Sequence, residues 1–339
     1  MLYCPHCNGA VLLQSEDFQP GEVLGGFEIV TLIGKGGMGY VYLARQSSMR
    51  RLVALKVIMK TLIGKTNSNI IDLFNKEIQL SGTLNHPNII KAIDAGESER
   101  CYFMAITYVD GEDFEKVLDR GTTVPEKEVF AVALKMAEAL NYAWEKHGLI
   151  HRDIKPGNII KDKKGEVFLM DMGIAQHMAL GGLKSEKEVL GSPFYMSPEQ
   201  GQGFPLDWHT DMYSLGATLY HMIVGVAPYD AKEVTRIIEK HITDPFPEPS
   251  DRNPNISVSK AAVEILRKMM AKKTEDRYSS WKEFEQTVGD AFFSTGKDSE
   301  EISIQREPFQ EQDKIAERKT TLINPIRKIM SFLKPTKGK

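Results

Sequence analysis

The chain has 339 residues, of which 42% are hydrophobic and 26% charged, with a formal net charge of −3. That composition excludes disorder throughout and is enough for two lobes with cores of their own, while the near-neutral balance gives no global attraction to nucleic acid or membrane. Three cysteines exclude a disulfide framework and fit a reducing cytoplasm.

Residues 1–26 open with Cys4-Pro5-His6-Cys7. They lack the basic start and apolar stretch of a signal peptide, and no run of about 18 apolar residues follows anywhere. A C-x-x-C knuckle supplies two zinc ligands where a structural site uses four. His6 sits inside the knuckle, and the only other cysteine, Cys101, lies in an apolar strand-like run. An empty or half-used knuckle is therefore favoured over zinc at Cys4 and Cys7, whether held in one chain or shared between two chains of a dimer.

Residues 27–33 read as a strand, and Gly34, Gly36 and Gly39 then make G-x-G-x-x-G. Without Cβ atoms, such a turn lets backbone N–H groups approach phosphate oxygens. A dinucleotide site uses the same string but follows it with a helix; here Tyr40-Val41-Tyr42-Leu43-Ala44 alternates as a strand. Lys56 falls within the apolar strand 53–58. An amphipathic helix over 70–84 carries Glu77, and His86-Pro87 breaks it, with a strand starting at Asn88-Ile89-Ile90. Residues 101–111 read as a strand running into a linker, and 126–147 as a long helix.

Next come His151-Arg152-Asp153-Ile154-Lys155-Pro156-Gly157-Asn158 and Asp171-Met172-Gly173. Apolar runs at 158–160 and 166–170 flank a Lys163-Lys164-Gly165 turn, which predicts a hairpin. Asp153 and Asn158 then share one loop, and Asp171 follows the second strand. Phosphoryl transfer needs such a set: a carboxylate to orient the attacking hydroxyl and oxygen ligands for magnesium.

Together these motifs resemble the protein kinase family, and in particular the bacterial serine/threonine kinases. The resemblance implies an α+β, two-lobed kinase fold: a small β-rich N-lobe with one main helix and a larger, mainly helical C-lobe. It implies a kinase domain over 27–290, divided into N-lobe 27–106, hinge 107–110 and C-lobe 111–290. By the same match ATP lies in the cleft with Mg²⁺ or Mn²⁺. Gly34, Lys35, Gly36, Gly37, Met38 and Gly39 cover its phosphates, Lys56 binds them, and Glu77 pairs with Lys56. Ile33, Val41 and Ala54 cover the adenine, Ile106 stands beside it as gatekeeper, and Thr107 and Val109 offer backbone groups to its edge. Asp153 is implied as the base, with Asn158 and Asp171 as metal ligands. Lys155 implies Ser/Thr specificity, since tyrosine kinases carry a different loop, and Met172 stands where the family usually has phenylalanine.

Gly191-Ser192-Pro193-Phe194-Tyr195-Met196-Ser197-Pro198-Glu199 resembles the family's peptide-binding segment. It implies that Ser192 helps seat the substrate hydroxyl, that Glu199 pairs with Arg277, and that Asp211 braces the catalytic loop. Ser185 is the sole hydroxyl in the variable part of the activation segment and the candidate phosphosite. Residues 291–339 form a polar linker and basic tail. From Lys314 on, eight Lys/Arg stand against one Glu, and a helix there could lie on an anionic membrane, though Pro325 confines it and a disordered or lobe-docking tail is favoured. Thr320-Thr321-Leu322-Ile323 resembles ligands of phosphothreonine-reading FHA domains. The resulting expectation is a cytoplasmic, autophosphorylating Ser/Thr kinase acting on proteins, not nucleic acid; the alternative is an ATP-binding pseudokinase scaffold.

Overall fold

The computed structural model describes residues 17–36, 39–61, 69–171 and 193–292, with the backbone of two short strands, β1 (Leu2–Tyr3) and β2 (Ala10–Val11). Cys4, Cys7, Gly37, Met38, Met172, Gly173, Ser185, Ser192 and the tail with Thr320 and Thr321 lie outside the described residues. β1 pairs antiparallel with β2. The main sheet holds β3 (Val23–Leu24), β4 (Phe27–Gly36), β5 (Gly39–Gln46), β6 (Arg51–Met59), β7 (Ala92–Glu97) and β8 (Cys101–Thr107), in the order β3-β4-β5-β6-β8-β7. Every pairing in it is antiparallel.

Side chains alternate across a strand, and β6 shows what this does for the site. Val53, Leu55, Val57 and Met59 join one cluster with Phe27, Ile29, Tyr42 and Phe103. Ala54 and Ile58 face the other way, packing with Met104, Ile106 and Phe74 of helix α1 (Asn69–Thr83). Lys56 lies between Ala54 and Ile58 on that second face. Its position in the strand therefore aims the lysine at α1 rather than at solvent.

The expected strand at 88–90 is not formed. The segment makes a single parallel bridge, Ile89 to Leu169, and β7 begins only at Ala92. The reason is where its hydrogen bonds go. Asn88 Nδ2 donates to the Val167 carbonyl at 2.8 Å, Leu169 N to the Asn88 carbonyl at 2.8 Å, and Ile90 N to the Leu169 carbonyl at 3.0 Å. The chain leaving α1 is thus bonded to the predicted hairpin, which appears as β10 (Ile159–Asp162) and β11 (Val167–Leu169), with β9 (Gly111–Asp113) on the far side of β10.

The rest is helical: α2 (Phe114–Asp119), α3 (Glu126–His147), α4 (Pro198–Gln202), α5 (Trp208–Val224), α6 (Val234–Thr243), α7 (Pro249–Arg252), α8 (Lys260–Met269) and α9 (Trp281–Phe292). α3 spans the residues expected of it and stops where Gly148 takes a left-handed conformation, φ 60°. α5 starts on Asp207, whose carboxylate accepts from His209 N. From Thr210 to Tyr220 every residue of α5 is buried, so it is the central post on which α3 and α8 pack. No helix among the described residues is long and apolar enough to cross a membrane.

Candidate active site

Three charged groups from three elements meet in the cleft. Lys56 of β6 donates to Glu77 Oε1 of α1 at 2.9 Å and is also ion-paired with Asp171, just after β11. The lysine and glutamate side chains keep 18% and 15% of their surface, whereas Asp171 keeps 44%, so the carboxylate nearest the open side is partly screened by solvent. Burial alone would push the Lys56 pKa down, but the Asp171 and Glu77 carboxylates outweigh it and raise the pKa above the ordinary lysine value. Desolvation opposes ionisation of Asp171 as well, yet Lys56 holds its carboxyl below the usual range. Asp171 has φ 51°, an uncommon conformation for a residue with a side chain, held here between hairpin and lysine. Ile89, Ile90, Met104, Ile106 and Leu169 give the cleft its apolar wall.

The loop before β10 adjoins this group, since Met170 N donates to the Asn158 carbonyl at 2.9 Å. Asp153 Oδ2 sits 2.8 Å from Lys155 Nζ. Asn158 Nδ2 donates to the Asp153 carbonyl at 2.7 Å and to Asp153 Oδ2 at 3.2 Å. The amide nitrogen supplies both bonds, so the amide oxygen is the acceptor that Asn158 has left to offer. Asp211, in the first turn of α5, accepts from His151 N at 2.7 Å and Arg152 N at 2.8 Å. Arg152 has φ 68°, a strain that these bonds hold in place. His151 is fully buried; Asp153 N donates to its Nδ1 at 3.3 Å, which leaves Nε2 to donate to the Met170 carbonyl at 2.9 Å. One imidazole therefore links the loop of Asp153 to the strand end that carries Asp171.

The roof of the cleft is the β4–β5 hairpin. Gly34 pairs with Val41, Lys35 with Tyr40, and Gly36 with Gly39, and Lys35 Nζ lies 4.8 Å from the Tyr40 ring centroid. Gly39 has φ 146°, and a Cβ there would stand 2.1 Å from the Val57 carbonyl oxygen, so no other residue fits. Gly34 is less constrained: its Cβ would meet Val41 Cβ at an ordinary 3.5 Å. Ile33 is 42% exposed and Val41 half-buried, while Ala54 and Ile106 are buried and paired in register. Thr107 N donates to the Lys91 carbonyl at 3.0 Å, and Val109 follows β8, half-buried.

Below, Arg277 meets Glu199 through two bonds of 2.8 Å, as the spacing-independent resemblance implies, and Thr210 Oγ1 donates to Glu199 at 3.0 Å. Gln200 adds a contact that the resemblance does not imply. Its Nε2 donates to the Arg152 carbonyl at 2.9 Å, and it forms a capping box with Ser197 at the start of α4. The S-x-x-Q string at 197–200 is the signal that could have found it.

Fold and cleft together define a protein kinase domain. The family described as "Protein kinase domain" matches residues 27–293, and the chain belongs to it. Similar curated proteins are the serine/threonine-protein kinase pkn3 of Myxococcus xanthus, 34% identical over 267 residues (76% of this chain, 48% of that protein), and PrkC of Bacillus subtilis, 31% identical over 287 residues (84% and 43%). Among solved structures, the kinase domain of Mycobacterium tuberculosis PknI is 26% identical, with a TM-score of 0.63 over 81% of this chain and 99% of that one. The chain spans less than half the length of the curated relatives it matches.

Proposed function

We propose that the chain is a serine/threonine protein kinase that transfers the γ-phosphoryl group of ATP to Ser or Thr hydroxyls of proteins, its own among them. The observation that carries this is the Asp153–Lys155–Asn158 arrangement held beside the Lys56–Glu77–Asp171 group, with His151 and Asn158 both bonded to the backbone of Met170, the residue before Asp171. Lys56, fixed by Glu77, presents its ammonium to the phosphates. Asp153 accepts the hydroxyl proton as the acceptor oxygen bonds phosphorus and the bond to the departing ADP breaks; Lys155 beside it balances the charge that builds up. Asn158 and Asp171 offer one amide oxygen and one half-open carboxylate, hard ligands that suit Mg²⁺ or Mn²⁺. When bound, the metal neutralises the triphosphate and the charge developing on it.

Lys155 favours Ser and Thr over Tyr as acceptors. The cytoplasmic setting rests on cysteine usage, and contact of the tail with an anionic membrane or an FHA domain rests on its basic residues and on Thr320 and Thr321. Incubation with γ-labelled ATP and Mg²⁺, followed by phosphoamino-acid analysis, tests the assignment. Label on serine and threonine supports it, and label confined to tyrosine, or none, contradicts it.

A further inference from the structure

Beneath the 3-10 turn Pro193–Tyr195 lies a polar cluster that the phosphoryl-transfer chemistry does not use. The turn packs on both α5 and α6. His241, in the last turn of α6, is fully buried. Its Nδ1 meets the Tyr213 hydroxyl of α5 at 2.9 Å. That hydroxyl lies 3.4 Å from Lys272 Nζ, which donates more closely to the Tyr229 hydroxyl at 2.9 Å and the His241 carbonyl at 2.7 Å.

An ammonium has only donors, so Tyr213 Oη accepts from Lys272 and its own proton goes to His241 Nδ1. Burial, aided by the Lys272 charge, holds the imidazole down at about 3 and therefore neutral. Its one proton is then on Nε2. Nε2 is buried and has no partner within hydrogen-bond distance among the described residues; the turn that holds Phe194 packs on α6, and the Phe194 backbone is a neighbouring polar group that acts on the imidazole. A buried donor without an acceptor is costly, so a small closing movement of the turn that brings the Phe194 carbonyl onto Nε2 is favourable.

We propose that His241 is a positioning residue for the protein substrate: with Tyr213 and Lys272 fixing its Nε2–H tautomer, it holds the Phe194 backbone and so sets the turn on which the acceptor peptide rests. The kinetic part rests on the reading of the chain as a protein kinase; the structural part does not. His241 touches neither nucleotide-cleft nor acceptor groups, so it acts through the turn alone.

The test compares wild type with His241→Phe, His241→Gln and Tyr213→Phe, using a synthetic serine peptide that the wild type accepts. His241→Phe should raise the peptide KM roughly three- to tenfold, the weight of one net hydrogen bond, with the KM for ATP and kcat within about twofold. His241→Gln, which keeps an N–H donor, should recover much of the loss. Tyr213→Phe, which keeps ring and burial, should raise the peptide KM in the same direction and decides the matter if His241→Phe does not fold. An unchanged peptide KM in Tyr213→Phe and in every folded His241 variant overturns the proposal, as does a parallel loss in ATP KM and kcat. Hydrogen exchange at the amides of 194–197 gives a reading without catalysis. Faster exchange in Tyr213→Phe supports the proposal even if the wild type transfers no phosphate, and unchanged exchange contradicts it.

Discussion

The guanidinium of Arg277 and the carboxylate of Glu199, 78 residues apart in the chain, face each other through two parallel bonds of 2.8 Å with 0% and 9% of their side chains exposed. Burial alone would raise the Glu199 pKa, and the Arg277 bonds bring it below the usual range. The pair fixes α4, whose Gln200 holds the Arg152 carbonyl, so the catalytic loop rests indirectly on this ion pair. Arg277→Met leaves a buried carboxylate without its counter-charge, and the expected loss is about 3–5 kcal/mol of stability. Thermal or urea unfolding checks this; a loss under about 1 kcal/mol would show that the pair is dispensable.

Lys56→Met should be more damaging than Glu77→Gln. The first removes the charge that meets both Glu77 and Asp171, and the second removes only the partner that orients it. Hydrogen bonds to charged groups carry about 1.5–3 kcal/mol, so the ATP KM or kcat should worsen roughly ten- to hundredfold or more in Lys56→Met and less in Glu77→Gln. Steady-state kinetics against ATP concentration measures both, and the reverse order would contradict the geometry.

Two glycines of one motif should respond differently. Gly39→Ala places Cβ 2.1 Å from the Val57 carbonyl oxygen at φ 146°, whereas Gly34→Ala meets Val41 at 3.5 Å. A strained backbone position costs about 1–3 kcal/mol. Gly39→Ala is therefore expected to lower the melting temperature clearly, and Gly34→Ala to leave it close to wild type. Comparable melting curves for the two variants would refute the assignment.

Burial lowers the Lys272 pKa to about 8 from a reference of 10.5, with Asp244 opposing and Arg277 adding to the shift. Between those values the unfolded chain binds a proton that the folded chain does not, so stability contributed by this group rises as pH rises through that window. Below about 8 both states are protonated, and the contribution is flat. The stability difference between wild type and Lys272→Met should thus move in favour of wild type from pH 8 to 10. Urea titrations across that range would expose a flat or falling difference as the contrary result.

Much of the site could be read from the sequence because its residues sit in short strings. Asp153, Lys155 and Asn158 share eight residues, and the alternation in β6 already puts Lys56 opposite Val53 and Leu55. Hydrophobic period likewise located α3 to its ends. The segment after His86-Pro87 reads locally as a strand, but its backbone partners lie in β11, about 80 residues on, and no local pattern encodes that pairing. The same holds for His241, Tyr213 and Lys272: each looks ordinary in its own helix or loop, and only the hydrogen bonds that join the three in the fold make them a cluster. Gln200 differs, since its capping box with Ser197 is encoded in adjacent residues.

In the proposed reaction Asp153 is the base of the phosphoryl transfer, and the nucleotide is held by other residues. The most direct measurement follows label from γ-labelled ATP with Mg²⁺ into protein for wild type and Asp153→Asn, alongside ATP binding by both. The expected result is transfer by wild type, loss of at least about a hundredfold in Asp153→Asn, and binding by both within a few-fold. Equal transfer by the two proteins, or binding by both with transfer by neither, would contradict it.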